Sequence, residues 1–148
     1  PNLIENLEFA DIVRGSRDDF NVVYKIDDAD KAYNAEISFY CKRFIYTDGE
    51  NPTVVFSDGP MRKEYATPKT ETVSTIGAGD NFNAGLIYAM LRNNICRADI
   101  ERGLTEQQWD SMVKSAQMFS ADCCKDIFNY VSKDFGKKLD AFKEGGCL

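Results

Sequence analysis

The chain has 148 residues, room for one domain with a hydrophobic core, and its 43% hydrophobic and 28% charged residues exclude a disordered chain. Acidic residues outnumber basic ones 24 to 18, for a formal charge of −6, and no basic stripe is present, which excludes the counterion-displacing surface of a nucleic-acid binder. Histidine is absent, which removes Ser-His-Asp and Cys-His catalysis and the usual Cys/His zinc sites, and no apolar run approaches the roughly 20 residues that a membrane span needs.

Residues 1–8 read as the frayed end of an element that began upstream. Phe9-Ala10-Asp11-Ile12-Val13 is a short apolar run stopped by Arg14-Gly15-Ser16, the pattern of a buried strand. Ser16 suits a helix N-cap, with Asp18 and Asp19 in the first turn where acids favour the dipole. Asp27-Asp28-Ala29-Asp30 opens a second helix running to about Cys41. Arg43–Thr47 and Thr53–Ser57 are rich in β-formers, and the turn residues Asp48-Gly49-Glu50-Asn51-Pro52 between them predict a hairpin. Asp58-Gly59-Pro60 is a second turn and Lys63–Ala66 a third strand, and strands in such close succession pair antiparallel.

From Asp80 the period changes. Phe82, Leu86 and Met90, with Ile87 and Leu91, predict one apolar helix face. Thr105 followed by Gln108 has capping-box spacing and starts a helix to about Lys125 that buries Trp109, Met112, Val113, Ala116, Phe119 and Cys123. Residues 126–142 hold another short helix, and Gly145-Gly146 is a tail. The early βα units place the chain in the α/β class, with a partly parallel sheet and helices on its faces. The basic pairs Lys42–Arg43 and Lys137–Lys138 read as solvated surface. Cys41, Cys96, Cys123, Cys124 and Cys147 are odd in number and irregularly spaced, with no CxxC pair and no secretory leader. They argue against a disulfide framework and for a reduced, cytoplasmic setting, with Cys123–Cys124 as small buried hydrophobes within a helix.

Ser74-Thr75-Ile76-Gly77-Ala78-Gly79-Asp80 lies between a strand-like stretch and an amphipathic helix. Gly77, Ala78 and Gly79 can turn their N–H groups toward one point at little steric cost, and the helix adds the positive end of its dipole. That combination suits a phosphate or an oxyanion. There is no GxxxxGK[ST], and the dinucleotide fingerprint fails because Phe82 stands three positions after Gly79, where it needs glycine. A carboxylate beside a phosphate cradle is unfavourable for binding alone. Phosphoryl transfer to an alcohol gives Asp80 a purpose, because the attacking hydroxyl must lose its proton. For GxGD by itself, an ordinary glycine turn with Asp opening a helix is the competing reading.

The full string STIGAGDNFNAG resembles the C-terminal signature of the PfkB/ribokinase family of carbohydrate kinases, DTxGAGDxFxAG. Thr75, Gly77, Ala78, Gly79, Asp80, Phe82, Ala84 and Gly85 match in register. The resemblance implies a ribokinase-like layered sheet, an anion hole at Gly77, Ala78 and Gly79, and Asp80 as the general base that activates a sugar hydroxyl, with Thr75 among the cofactor-binding residues. Ala10 to Ser16 followed by Asp18-Asp19 resembles the strand leading into the family's NxxE motif, with Ser16 at the Asn position and Asp19 at the Glu position. It implies that Ser16 and Asp19 hold Mg²⁺ indirectly, through water. Ile45-Tyr46-Thr47-Asp48-Gly49 resembles the TxG turn beside the nucleotide, which makes Thr47 and Gly49 candidate ATP contacts; the same residues also read as a hairpin turn. Ser115–Cys124 falls where the family places the helix beside the adenine. Ser74 stands where the family usually has Asp, which weakens the expectation of an activating monovalent cation.

Family members are longer, and their N-terminal half supplies the sugar site and a β-lid. Together with a start at Pro1, this implies that residues 1–148 are the C-terminal nucleotide-binding and catalytic portion of a larger kinase. By itself such a portion is expected to phosphorylate sugar hardly at all, since positioning the acceptor and excluding water need the other half. It is also expected to expose a sheet edge or apolar face that favours a homo-oligomer. The function implied is ATP-dependent phosphorylation of a small-molecule sugar. The competing reading is a non-catalytic nucleotide-sensing or interaction domain on the same scaffold, favoured by Ser16 and Ser74 and opposed by Asp80 and its glycines.

Overall fold

The computed structural model describes residues 6–144, with side chains described as far as Leu139. Residues 1–5, the expected Gly145-Gly146 tail and Cys147 lie outside the described residues. The elements in chain order are β1 (Val13–Ser16), α1 (Arg17–Tyr24), α2 (Ala29–Ala32) continued by a π-turn (Tyr33–Ile37), β2 (Phe44–Thr47), β3 (Thr53–Phe56), β4 (Arg62–Tyr65), α3 (Ala78–Arg92), α4 (Arg97–Arg102), α5 (Glu106–Cys123) and α6 (Lys133–Glu144). Contacts divide them into two compact units. The first runs to Thr67 and takes in Arg97–Leu104; the second comprises Pro68–Cys96 and the chain from Thr105 onward.

The first unit is built on a sheet of order β1-β2-β3-β4. β1 and β2 are parallel, whereas β2/β3 and β3/β4 are the antiparallel pairs expected from their short spacers. Gly49 adopts a φ of 52° in the β2–β3 turn, a conformation glycine takes without Cβ strain. Phe44, Tyr46, Val54 and Phe56 alternate onto one buried face, where they join Phe20 of α1 and Tyr33 of the π-turn. The Phe20 and Phe44 rings meet edge-on at 5.3 Å, and Tyr33 stacks on Phe56 at 4.3 Å.

Three expectations for this unit are corrected. The first strand spans Val13–Ser16, not Phe9–Val13, and Phe9 is 83% exposed. Arg14-Gly15-Ser16 forms the strand itself rather than its stop. Gly15 is needed there because a Cβ would lie 2.5 Å from the Phe20 ring. The second helix opens at the Asp28 cap as predicted but widens into the π-turn and closes at Ile37, short of Cys41. Arg43 is no solvated surface residue: its side chain is 12% exposed and its Nε lies 2.7 Å from the Asp58 carboxylate.

In the second unit α3 packs along α5. Trp109, Met112, Val113, Ala116, Phe119 and Cys123 are buried, as the periodicity predicts, and the helix starts with the Thr105/Gln108 capping box. It closes at Cys123 rather than Lys125. The predicted α3 face is half right. Phe82 and Leu86 are buried, but they are joined by Asn81, Gly85 and Ala89, while Ile87 (58%) and Leu91 (74%) are exposed. Gly85 sets that phase, because a Cβ there would stand 2.6 Å from the Ala116 Cα. No helix among the described residues is long and apolar enough to cross a membrane.

Candidate active site

The glycine turn sits in the second unit, at the mouth of α3. The chain enters it tethered to the end of α5, with the Val73 and Ser74 N–H groups donating to the Cys124 carbonyl at 2.8 and 3.3 Å. The Ser74 hydroxyl accepts the Ile76 N–H at 3.2 Å. Gly77 then turns at φ 79° into the N-cap position, and it has no side chain to cap the helix. A helix opened this way leaves first-turn N–H groups for an outside acceptor. The Ala78 N–H is engaged by the Thr75 carbonyl at 3.1 Å, but the N–H groups of Gly77, Gly79 and Asp80 meet no acceptor among the described residues. Asp80 follows in the first turn, exposed and without an ion-pair partner among the described residues. The turn thus offers donors beside one unengaged carboxylate, an arrangement that can hold an anion and take a proton next to it. Asp80 and Thr75 are both exposed.

In the first unit, β1 and β2 end side by side with Ser16 opposite Thr47. The Asp19 carboxylate accepts the Ser16 N–H at 2.9 Å and its hydroxyl at 2.7 Å, while the Ser16 hydroxyl accepts the Asp19 N–H at 3.1 Å. These bonds, the main-chain one foremost, hold the Asp19 carboxyl below the usual carboxylate range, with the Arg14 charge adding to them and burial opposing. Both residues are therefore occupied as a capping box. Asp19 keeps its second oxygen, Oδ1, for an outside donor. No group of three or more His, Cys, Asp or Glu able to hold a metal occurs among the described residues. The unengaged Oδ1 of Asp19 has the chemistry to meet a hydrated cation through water.

Thr47 carries a bond that sequence patterning had not anticipated, because its hydroxyl accepts from Arg14 Nη2 at 2.7 Å. The signal was present, since Arg14 and Ser16 alternate onto one side of β1 and Ser16 is the partner of Thr47. Gly49 follows in the turn with open space around its Cα. A separate cavity of about 210 Å³ in this unit is lined by Tyr46, Asp48, Arg62 and Glu64 and by none of Ser16, Asp19 or Thr47. Burial, then the neighbouring Asp48, pushes the Tyr46 phenol up to about 12.

The family model described as pfkB family carbohydrate kinase matches residues 2–117. The chain belongs to that family. The match takes in Ser16, Asp19, Thr47, Gly49 and the whole glycine turn. A search of curated protein sequences found no match. Solved structures share the pfkB-type, ribokinase-like fold. Aminoimidazole riboside kinase from Salmonella enterica, solved with aminoimidazole riboside and an ATP analog, has a TM-score of 0.76 at 18% identity and covers 94% of this chain and 44% of its own. Fructokinase from Vibrio cholerae O395, bound to fructose, ADP and calcium ion, has a TM-score of 0.71 at 17% identity, covering 85% and 38%. Adenosine kinase from Sinorhizobium meliloti has a TM-score of 0.70 at 20% identity, covering 95% and 39%. This pfkB-family chain spans less than half the length of each.

Proposed function

We propose that this pfkB-family chain supplies the phosphoryl-transfer portion of an ATP-dependent kinase acting on a sugar hydroxyl. The observation that carries the reading is the set of unengaged N–H groups at Gly77, Gly79 and Asp80 beside an unpaired Asp80 carboxylate. Negative charge on the equatorial oxygens of the transferring group is met by fixed main-chain dipoles that need no reorganisation. Asp80 takes the acceptor's proton as the new O–P bond forms and the bond to the leaving nucleotide breaks. The proton moves late in a loose transition state, so a weak, well-placed acceptor suffices. Thr75 flanks the anion hole of Gly77, Ala78 and Gly79, with Ala78 serving through its place in the turn. Thr47 and Gly49 are the proposed ATP contacts. Asp19 would hold Mg²⁺ indirectly through its free oxygen, with Ser16 fixing the carboxylate; the bound ion supplies neutralisation of phosphate charge. Cys41, Cys96, Cys123 and Cys124 form no disulfide among the described residues, which supports a reducing, cytoplasmic setting. The bound sugars and nucleosides of the solved relatives support a small-molecule acceptor.

The test is ADP release over a panel of sugars and nucleosides by the full-length polypeptide carrying this chain, with Asp80→Asn in parallel. Wild type is expected to turn over at least one acceptor, and Asp80→Asn to lower kcat by about 10²–10⁴. The chain of residues 1–148 alone is expected to be close to inactive. Equal turnover by both proteins removes the catalytic role of Asp80. ATP binding without turnover on any acceptor supports the nucleotide-sensing reading instead.

A further inference from the structure

Asn81 follows Asp80 directly, yet it points away from solvent and is only 9% exposed. Its side-chain amide lies 2.9 Å from the Gly77 carbonyl, 3.0 Å from the Asn129 carbonyl and 3.2 Å from the Cys123 sulfur. Its main-chain N–H reaches the same Gly77 carbonyl at 2.9 Å. Asn129 packs so close that a Cβ on Gly77 would stand 2.6 Å from its own Cβ. The Cys123 thiol lies 3.6 Å from the Ile76 carbonyl, the neighbouring peptide of the same turn.

Peptide planarity gives these contacts a consequence. A carbonyl and the N–H of the next residue belong to one rigid unit and point in opposite directions. Holding the Ile76 oxygen inward therefore turns the Gly77 N–H outward. Holding the Gly77 oxygen fixes the peptide that joins it to Ala78, whose N–H is in turn held by Thr75. The two peptides that begin the cradle are thus oriented from behind by Asn81 and Cys123, and both anchors also engage the segment after α5. A bidentate amide is well suited to this work, since its two hydrogens reach carbonyls on two different segments. An apolar residue of the same size would remove that donor from both carbonyls, leaving the Gly77 oxygen only the Asn81 main-chain N–H.

We infer that Asn81 is a positioning residue for phosphoryl transfer, tying the anion-binding turn to residues 123–129 so that its N–H groups face the transferring group. The inference rests on the kinase reading, and the experiment separates the two. Full-length wild type, Asp80→Asn, Asn81→Leu, Asn81→Asp and Asn129→Ala are compared for kcat, KM for ATP, thermal midpoint, and affinity for ADP with and without aluminium fluoride as a mimic of the transferring group. Asn81→Leu and Asn81→Asp are expected to lower kcat about ten- to a hundredfold, as displacement of a reacting group does, with KM for ATP within about twofold. They should weaken ADP–aluminium fluoride by a similar factor while leaving ADP alone unchanged. Asn129→Ala keeps the main-chain acceptor and the Cβ and is expected to match wild type. Amide hydrogen exchange across residues 75–80 provides a second readout, expected to quicken in both Asn81 variants at temperatures where they remain folded. A wild type that turns over, is disabled by Asp80→Asn and is matched in kcat by Asn81→Leu overturns this inference alone. So does a lowered thermal midpoint with unchanged kcat and unchanged fluoride-complex affinity. A wild type inactive on every acceptor overturns the kinase reading and this inference with it.

Discussion

Replacing Gly85 by alanine is the sharpest test of how α3 and α5 meet. In most helices the change is favourable by about 1 kcal/mol, because alanine loses less backbone entropy. Here the added Cβ would stand 2.6 Å from the Ala116 Cα, 2.8 Å from the Ser115 carbonyl oxygen and 2.9 Å from the Ala116 nitrogen. All three atoms belong to the α5 main chain, so no side-chain rotation relieves the overlap. The helices must separate by about 0.8 Å to restore even a tight 3.4 Å contact. Such a shift loosens the packing around Phe82, Leu86, Ala89 and Met112, and overpacking of this kind costs about 1–3 kcal/mol. Because all three contacts are with main-chain atoms, the cost falls in the upper part of that range, about 2–3 kcal/mol, and outweighs the gain in propensity for a net loss of about 1–2 kcal/mol. In a protein of this size that lowers the thermal midpoint by roughly 2–8 °C. Gly136 in α6 is the control, since a Cβ there meets nothing within 4 Å. Gly136→Ala is expected to stabilise by about 0.4–1 kcal/mol. Thermal and urea unfolding of both variants measures the two signs. A Gly85→Ala protein as stable as wild type, or more stable, refutes the close approach.

Thr105→Ala removes the hydroxyl that accepts the Gln108 N–H at 3.2 Å and is expected to cost about 1 kcal/mol in urea unfolding, with kcat unchanged. Asp19 gives a pH signature. Its folded-state carboxyl titrates below the ordinary 3.8, so the unfolded chain binds more protons around that pH. Its stabilising contribution is complete above 3.8 and is lost as pH falls through the lower folded value. Ser16→Ala removes the side-chain bond, the second cause of the shift, and leaves the larger main-chain bond, so Asp19, followed by NMR titration, should move part of the way back toward 3.8 and the acid limb of stability should flatten in part.

Features whose chemistry closes within four residues were legible in the sequence. The Ser16 N-cap and the Thr105/Gln108 capping box each satisfy orphan helix donors locally and both form, and the return bond from Asp19, which the sequence reading does not include, completes a box at Ser16 as well. The antiparallel strands were legible for the same reason, because their turns leave little freedom for any other pairing. The edges of β1 were not. Its partner β2 lies about 30 residues away in a parallel ladder, and no local pattern encodes that register. Gly15 was misread as a strand stop because its reason for being glycine is the Phe20 ring, which comes from the following helix.

The α3 helix shows the same division at the site itself. Its bulky side chains give the period of the helix but not the phase of its buried face. The face that packs is chosen by Gly85 and Ala89, where absence of bulk lets α5 approach, and by Asn81, where a polar group finds three partners. Hydrophobic patterning is blind to both kinds of residue. The glycines and the aspartate of the turn could be read directly, since they carry their conformation and charge with them. The anchors that aim the turn could not, because Asn81 is defined by carbonyls at Gly77 and Asn129, and the latter lies 48 positions downstream. The groups proposed to react are recognised by residue type and spacing, whereas those proposed to orient them become visible only once the chain has folded back on itself.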